Sequence, residues 1–595
     1  MEDHDPVHLH QEKSHQESAH SQPEETPISR TTTHKTNRVP HMEKRGLLAT
    51  LVVVPEYEDA RDYPAKIKYL IVLIIAFAAI TGPMGTSIML PAIDDIVTDL
   101  HTSTSIVNVS VGVYLLSLGI FPLWWSAFSE RYGRRSVYMI SFGLFLAFSI
   151  GTSLSPNIAG LIIFRVLQGG CSASVQAVGA GTIADLFIPQ ERGVAMGWYY
   201  LGPLMGPFLA PILGGIVAQA WGWRATQWLL VIFSGCNFCS IMFLLPETLR
   251  KSENLQAIRD LLRENKDLIL ADESNTGSEE TALERVMSNP SVRSAFSQLS
   301  QEFEESEEEE GPVVDPVMPT ISRINTNKSV ATHRSQKERL EEELSRAITN
   351  ATSPHKGQWK TTLYDLTIRP MHSIVLLQYP PVALVVAFSA ITFAILYFFN
   401  MTITYNFARP PYNFHPIIIG LLYIPNSVTY VIASLVGGRW NDYLFKKYQM
   451  THNGATVPES RISWNIVLAM ALYPMACIIF GWALDKGVFW VVPLIGTALF
   501  GFSTMLVIGA TVTYLVDTLP GKGATGVALN NLIRMILAAV ATFIVEPLLR
   551  ALGPGVLFSI LTGIIVVSSL ILIYLKRRGD YFREHYDIGK YYDKL

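Results

Sequence analysis

The sequence predicts an all-α membrane protein with 12 transmembrane helices in two six-helix halves. Of its 595 residues, 49% are apolar and only 16% are charged, and the mean hydropathy is +0.28. A soluble globular domain carries about 25% charged residues, so a soluble multidomain enzyme is disfavoured. The charges concentrate in three segments and leave residues 67–245 and 380–575 nearly free of them. Two such blocks, joined and flanked by charged segments, are typical of a polytopic membrane protein.

Each block divides into six apolar stretches, and a transmembrane helix needs roughly 20 apolar residues. In the first block these are α1 (67–90), α2 (106–128), α3 (136–154), α4 (158–180), α5 (193–217) and α6 (224–245). In the second block they are α7 (380–402), α8 (416–437), α9 (463–484), α10 (488–513), α11 (525–547) and α12 (553–575). Helices are predicted because each backbone group in lipid must be paired within its own segment.

The segments outside the two blocks are predicted to be polar. Residues 1–66 form a tail whose first part is rich in His, Glu, Ser and Thr, and disorder is expected there. Within it, Leu47–Val54 is apolar but too short to span, and we predict that it lies on the membrane surface. Residues 246–379 form a linker between the halves, and residues 576–595 form a second tail.

Orientation follows from the Lys and Arg residues in the short loops. One set of loops is basic: Arg131, Arg134 and Arg135 follow α2; Arg439, Lys446 and Lys447 follow α8; and Lys576, Arg577 and Arg578 follow α12. The opposite set carries only Arg224, Arg409, Lys486 and Arg550 at its edges. We therefore expect both termini and the linker to be cytoplasmic.

Several classes of site are disfavoured by composition. The net charge of −4 argues against a nucleic-acid binder. Cys236 and Cys239 form a CxxC, but neither a second pair nor a nearby His completes a metal site. Neither paired carboxylates, a Ser-His constellation nor a phosphate loop points to an enzyme. We expect no catalytic residues, no metal and no cofactor.

Two arginines lie deep in apolar spans, Arg165 in α4 and Arg534 in α11. A charge near the centre of a bilayer costs several kcal/mol unless it faces a partner or a cavity, so both are candidate functional residues. Gln168 shares a helix face with Arg165. Because the two halves echo each other, we expect the substrate site near the midplane between them.

α5 has small residues and prolines at four-residue spacing, which places them on one slowly rotating face. Small residues there let another helix approach closely, and the prolines bend the helix. The residues are Gly202, Pro203, Gly206, Pro207, Ala210, Pro211, Gly214 and Gly215.

Four stretches resemble motifs of the major facilitator superfamily. Ser129–Ser136 (SERYGRRS) resembles its loop signature, with Glu130 where Asp is usual, and Leu161–Gly169 (LIIFRVLQG) resembles its helix-4 signature. Gly202–Gly215 (GPLMGPFLAPILGG) resembles the helix-5 signature of its proton-coupled antiporters. Leu245–Arg250 (LPETLR) is similar to the end of helix 6 in the fungal twelve-helix drug:proton antiporters. Within that group, the chain most resembles the subgroup of quinidine-resistance and dityrosine exporters.

The resemblance implies roles for some of these residues. The turn after α2 would be a conformational latch, matched by a similar turn after α8; its residues are Glu130, Arg131, Gly133, Arg134, Arg135 and Asp442. Arg165 would take part in proton coupling, with Gln168, Asp185 and Arg534 as further candidates.

No Asp or Glu lies near the middle of any predicted span. The acidic residues at span ends are interpreted as solvated charges: Asp94, Asp95, Asp185, Asp517 and Glu546. Among them Asp185 is the first choice for the proton carrier, because it lies on α4 about five turns from Arg165. The resemblance implies proton coupling, but the predicted spans offer no evident residue near their middle to carry the proton.

Aromatic and polar residues of the spans are the candidates for the cavity lining. They are Asn108, Tyr114, Gln176, Trp228, Asn237, Tyr397, Asn400, Tyr423, Asn426 and Asn530. Aromatic faces would suit cationic or amphipathic substrates.

The resulting hypothesis is a monomeric plasma-membrane exporter that exchanges protons for drugs, polyamines or related organic cations by alternating access. Its partners would be membrane lipid, protons and a small organic substrate. One alternative is a dedicated exporter of a single metabolite of the dityrosine-precursor type. Another is a transporter-like sensor that signals through the cytoplasmic linker.

Overall fold

The computed structural model describes residues 38–57, 59–187, 189–249, 369–451, 458–462, 464–519, 523–586, 588 and 591. These residues form helices, turns and loops and contain no β-strand, which confirms the all-α prediction. Residues 1–37 of the predicted tail and 250–368 of the predicted linker lie outside the described part of the chain.

The first half holds six helices in the predicted order. They are α1 (Ala65–Asp99), α2 (Thr104–Ile120 continued by Pro122–Tyr132 with a bend of 41°), α3 (Arg134–Ser153), α4 (Ile158–Leu186), α5 (Pro189–Trp221) and α6 (Trp223–Leu244). α1 is assembled from shorter helical pieces and runs nine residues beyond its predicted end at residue 90.

The second half begins with a 3₁₀ segment, Arg369–Gln378, and continues with the remaining helices. They are α7 (Pro380–Phe407), α8 (Pro416–Leu421 continued by Ile424–Thr451), α9 (Trp464–Asp485), α10 (Val491–Thr518) and a final helical stretch, Gly523–His585.

The final stretch is two spans. Its 63 residues would extend about 95 Å as one α-helix, about three times the thickness of a hydrocarbon core. Gly553 interrupts it with φ 73° and ψ 161°, which separates α11 (523–552) from α12 (554–585). The described residues therefore contain the twelve predicted spans. α12 continues ten residues past its predicted end, into the segment expected to be a polar tail.

Local sequence explains how several helices begin. Asn157 caps α4 by accepting a hydrogen bond from the Gly160 N–H at 2.8 Å, as N-cap residues do. Gly133 separates α2 from α3 with φ 94°, a left-handed conformation that glycine adopts without a steric penalty. This turn lets two long helices follow each other with a single residue between them.

The two halves meet along two helix pairs. α2 packs against α11, where a Cβ on Gly119 would contact the Met535 side chain. α5 packs against α8, where a Cβ on Gly215 would meet the Pro416 carbonyl and a Cβ on Gly420 would meet the Pro211 carbonyl. Small residues therefore permit backbone-to-backbone approach between the halves.

We name the two ends of the helical bundle by residues that lie there. The Arg134 end contains the starts of α3 and α9 and the ends of α4, α6 and α10. The Arg409 end contains the end of α7 and the starts of α2 and α8.

Residues 38–63, which we call the strap, are folded onto the first half at the Arg134 end. The sequence predicts disorder for this part of the chain, whereas the structure shows short 3₁₀ helices joined by hydrogen-bonded loops. Glu56 is 1% exposed and pairs with Arg45 at 2.8 Å. The Val53 N–H donates to the Phe243 carbonyl at 2.8 Å, which joins the strap to the last turn of α6.

Candidate functional site

A cavity with an empty volume of about 560 Å³ lies between the halves. Its lining comes from α1, α2 and α5 of the first half and α7, α8 and α11 of the second: Pro83, Thr86, Ser87, Leu118, Pro207, Phe393, Leu396, Tyr397, Asn400, Tyr423, Asn426, Ser427, Tyr430 and Met535. Four predicted lining residues belong to it, namely Tyr397, Asn400, Tyr423 and Asn426. Pro207 of the α5 motif also contributes.

The lining is polar and aromatic on the second-half side. The Tyr423 hydroxyl donates to the Asn400 carbonyl at 2.7 Å and lies 2.9 Å from Thr404 Oγ1. The Asn400 side-chain oxygen has no hydrogen-bond partner among the described residues. The described lining contains no carboxylate and no basic side chain. The site therefore offers ring faces, hydroxyls and amides to a ligand.

The other predicted lining residues lie outside this cavity. Tyr114 belongs to the hydrogen-bond network around Arg165, described below. Asn108, Gln176, Asn237 and Asn530 are buried in the helix packing. Trp228 is 42% exposed, because α6 packs on α3 at the edge of the bundle and turns this side chain outward.

Arg165 is completely buried and connects α4 to α1 and α2. Its Nη2 donates to the Gly85 carbonyl at 2.8 Å, and its Nη1 donates to Gln168 Oε1 at 2.9 Å. The guanidinium lies 4.2 Å from the centre of the Tyr114 ring, a cation–π contact. Gly85 is followed by Thr86, which lines the cavity, so the arginine lies directly behind the cavity wall.

The polar network continues from Arg165 into α3 and α2. Gln168 Nε2 donates to Ser149 Oγ at 2.8 Å. The Tyr114 hydroxyl donates to the Gly82 carbonyl at 3.0 Å and lies 3.0 Å from Ser172 Oγ. Helices α1 to α4 therefore share one buried hydrogen-bonded network, with a cation at its centre.

Arg534, in α11, is the buried arginine that the sequence singles out in the second half. It is also fully buried; its guanidinium lies 4.8 Å from the centre of the Phe393 ring, and it donates to Asn531 Oδ1 at 3.2 Å. Phe393 lines the cavity. Asn530, its predicted neighbour in the site, is buried, with no hydrogen-bond partner among the described residues for either side-chain polar atom.

The small residues of α5 lie against α1 as well as α8. A Cβ on Gly202 would meet the Ala76 carbonyl, one on Gly206 would meet Pro83, and one on Gly214 would meet the Ile88 carbonyl. Together with the contact of Gly215 with α8, these contacts place α5 between α1 of its own half and α8 of the other half. Pro203, Pro207 and Pro211 lie inside this continuous helix.

Among the predicted latch residues, Arg134 is held in an ion pair, whereas Glu130 and Arg131 are exposed. Arg134 Nε pairs with Asp185 Oδ2 at 2.9 Å, so the candidate proton carrier Asp185 is an ion-pair partner of the latch at the end of α4. Glu130 is exposed, and the Arg131 guanidinium lies 5.9 Å from the centre of the Tyr132 ring. Asp442 lies in α8, and its side chain is outside the described part of the structure.

Glu247, in the LPETLR stretch, is a latch residue that sequence reasoning missed. It is 4% exposed and accepts backbone N–H groups from Arg134 at 2.9 Å, Thr248 at 2.9 Å and Leu249 at 2.8 Å. A Cβ on Gly133 would collide with its carboxylate, so glycine is required there. Burial raises the pKa of Glu247, against the opposing effect of these hydrogen bonds. The sequence signal that could have identified Glu247 was its position in the LPETLR stretch, which resembles a family motif.

Arg135 is fully buried and binds backbone carbonyls from both α6 and the strap. It donates to Ile241 at 2.8 Å and Met242 at 2.9 Å on α6. It also donates to Leu47 at 3.1 Å and Leu48 at 3.0 Å on the strap. This residue therefore fixes the strap to the latch.

The second half has its own charged cluster at the Arg134 end, which the sequence analysis did not identify. Arg461, just before α9, is 1% exposed and pairs with Asp517 of α10 at 2.8 Å. Glu459 pairs with Arg583 at the end of α12. Asp517 is therefore an ion-pair partner at the end of α10.

At the Arg409 end, polar contacts join the halves. Arg409 pairs with Asp94 at 3.1 Å and approaches Thr104 Oγ1 at 3.4 Å. Ser105 hydrogen-bonds Glu546 of α11, which is 2% exposed. The interpretation of Glu546 as a solvated charge is wrong, because the start of α2 covers it.

No cluster of three or more His, Cys, Asp or Glu side chains that could hold a metal ion occurs in the described residues. The four cysteines are unpaired; Cys171 and Cys477 are buried, and Cys236 and Cys239 are exposed.

Known proteins show the same organisation. The family description "Major Facilitator Superfamily" matches residues 75–542. The chain is 63% identical to "MFS antiporter QDR3" of Candida albicans, over 95% of this chain and 85% of that protein. It is 45% identical to "Quinidine resistance protein 3" of Saccharomyces cerevisiae, over 94% of this chain and 89% of that protein.

A solved structure supports the fold. The partially occluded inward-open conformation of the xylose transporter XylE from E. coli matches with a TM-score of 0.53 at 12% identity, over 86% of this chain and 98% of that one. A twelve-helix architecture, the matched family and these relatives agree with one another. The chain is a multi-pass membrane transporter, not an enzyme, and it belongs to the major facilitator superfamily, with fungal quinidine-resistance transporters as its relatives.

Proposed function

We propose that the protein exports amphipathic organic molecules, including drugs, across the plasma membrane in exchange for protons. The observation that carries this proposal is the cavity between the halves, which both halves line. Transport would proceed by alternating access, with the Arg134 end and both termini on the cytoplasmic side and a single chain as the working unit. The basic loops at the Arg134 end support this orientation.

The lining favours a substrate with an aromatic part and at most one cationic centre. Tyr397, Tyr423 and Tyr430 present rings that can contact apolar surface or a cation. Asn400 has an open hydrogen-bond acceptor among the described groups. A polyamine carries several charges, and the described lining has no carboxylate to pair with them. We therefore rank aromatic drugs above polyamines as substrates.

For proton coupling we propose the network of Arg165 and Gln168, with Asp185 and Arg534 as further members. Arg165 hydrogen-bonds the α1 backbone next to the cavity residue Thr86. A change in the charge or hydration of this network would therefore act on the cavity wall. The same observation supports transport over a sensor function, because the network lies beside the inter-half cavity.

The test is efflux from vesicles with an imposed proton gradient, with labelled quinidine and labelled spermine as separate substrates. We expect gradient-driven quinidine efflux that exceeds spermine efflux, and a loss of at least ten-fold in Arg165→Ala. Arg224→Ala, at an exposed pair with Asp99, is the matched control and should retain activity.

Quinidine efflux that ignores the gradient, or that Arg165→Ala leaves unchanged, would refute the coupling proposal. Efflux of spermine but not quinidine would reverse the substrate ranking. Transport of neither would favour a dedicated metabolite exporter or a sensor.

A further inference from the structure

The strap exposes large apolar side chains although it lies outside the spans. Leu47, Leu48, Leu51 and Val53 are 46%, 50%, 44% and 76% exposed. The side chains between them point inward, since Ala49, Val52 and Val54 are at most 8% exposed. The strap is therefore amphipathic in an unusual sense: its inner face is fixed to protein, and its outer face is mostly apolar, with Thr50 the polar residue exposed among the leucines and Val53.

The hydrogen bonds of the strap set its depth along the bundle. The Val53 N–H binds the carbonyl of Phe243, in the last turn of α6. The Leu47 N–H binds Ser136 Oγ at 3.2 Å, in the first turn of α3. Both partners lie in terminal turns of spans, so the strap lies level with the end of α6 and the start of α3.

The apolar face is continuous with the lipid-facing surface of the spans. Phe243 of α6 is 41% exposed and Ile140 of α3 is 48% exposed, and both belong to helices that pass through the membrane. Lys44 does not interrupt this face, because its ammonium group donates to the Val52 and Val54 carbonyls at 2.7 and 3.3 Å. Peripheral segments that bury an apolar face at this depth are held by lipid.

We propose that residues 47–53 insert into the interfacial layer of the bilayer at the Arg134 end, and that lipid is the partner of the outer face of the strap. The Leu47 and Leu48 carbonyls bind Arg135, so the same two residues whose side chains enter the lipid hold the latch arginine. Bilayer properties at this surface would then act on the position of the latch. This proposal does not depend on which substrate is transported.

The test places a bimane fluorophore on single cysteines in a full-length variant whose four native cysteines are replaced by serine. Leu48→Cys and Val53→Cys probe the strap, Met475→Cys near the middle of α9 probes the lipid core, and Asp62→Cys probes an exposed polar site. Each labelled protein is reconstituted as one copy per nanodisc, with lipids brominated either near the headgroup or near the acyl-chain end.

We expect the Leu48 and Val53 labels to be quenched at least two-fold more strongly by bromine near the headgroup than by bromine at the chain end. The Met475 label should show the reverse order, and the Asp62 label should respond only to aqueous iodide. Leu48 and Val53 labels that respond to iodide and not to bromine would overturn the proposal. Labels shielded from both quenchers would also overturn it, because another segment of the chain would then cover this face.

Discussion

The two halves carry the same buried ion pair at the Arg134 end and differ in the charge that accompanies it. In each half an arginine at the start of the third helix pairs with an aspartate at the end of the fourth: Arg134 with Asp185, and Arg461 with Asp517. In the first half the additional charge is the acid Glu247 beyond α6, which binds backbone N–H groups at the start of α3. In the second half it is the base Arg583 on α12, which binds Glu459 before α9.

The difference separates what the repeat preserves from what each half adds. The pair between third and fourth helices occurs twice, so it belongs to the shared architecture. The charge that the sixth helix of each half brings to this pair has the opposite sign: an acid, Glu247, follows α6, and a base, Arg583, lies on α12. In the first half this junction continues into the strap, since Arg135 and Glu247 lie beside it.

The largest expected effect comes from removing Asp517, the aspartate of the more deeply buried pair. Arg461 is 1% exposed and Arg134 is 10% exposed, so Asp517→Asn removes the carboxylate that pairs with the more deeply buried arginine. Breaking a buried pair costs about 3 kcal/mol or more. We expect a loss of about 3 kcal/mol in the free energy of unfolding for Asp517→Asn and about half of that for Asp185→Asn.

Denaturant unfolding of the purified protein in lipid nanodiscs measures both losses. Asp99→Asn is the control, because its pair with Arg224 is exposed and should contribute less than about 1 kcal/mol. Equal losses for Asp517→Asn and Asp185→Asn would show that the two pairs do not differ in burial in the membrane.

A smaller effect should distinguish the two additional acids. Glu247→Ala removes an acceptor from several buried backbone N–H groups, whereas Glu459→Ala removes one ion-pair partner of Arg583, which is 33% exposed. Hydrogen bonds to a charged group contribute about 1.5–3 kcal/mol. We expect about 2 kcal/mol for Glu247→Ala and about 1 kcal/mol for Glu459→Ala by the same unfolding measurement. The reverse order would mean that the strap does not depend on Glu247.

The smallest effect is a dependence of stability on pH that Glu247 introduces. Burial raises its pKa in the folded protein, so the folded state binds this proton more tightly than the unfolded chain does. Its favourable contribution is complete below about 4.3, the ordinary pKa of a glutamate, and is lost as the pH rises through the raised value. We expect the melting temperature of the wild type to fall relative to Glu247→Gln across this window. Parallel melting curves for the two proteins would contradict this.

The spans were predictable because their signal is local. Some 20 apolar residues specify a transmembrane helix wherever they occur, and the four-residue spacing of small residues marked the face of α5 that contacts α1 and α8. The same local criterion selected ten residues for the cavity lining, of which Tyr397, Asn400, Tyr423 and Asn426 line it and the other six do not.

Residues whose environment comes from distant parts of the chain were not predictable. The burial of Glu546 depends on Ser105, which lies more than 400 positions away in the other half. The strap looks like an unstructured tail because its partners are the Phe243 carbonyl of α6 and the Ser136 hydroxyl and Arg135 guanidinium of α3. Charge alone located Arg134, but its partner Asp185 required the packing of α3 on α4.

Gly215 and Gly420 each permit a close backbone contact between the halves, and these contacts have a mechanical consequence. Each glycine lies against the backbone of the opposite helix, so a side chain at either position would push the two helices apart at this point. In α5 the contact lies six residues from Trp221 and 26 from Pro189, about 9 Å and about 39 Å along the axis. If α5 rotates as a rigid lever about this fulcrum, a displacement at the Arg409 end is amplified about fourfold at the Arg134 end. A methyl group at either glycine would displace the fulcrum itself.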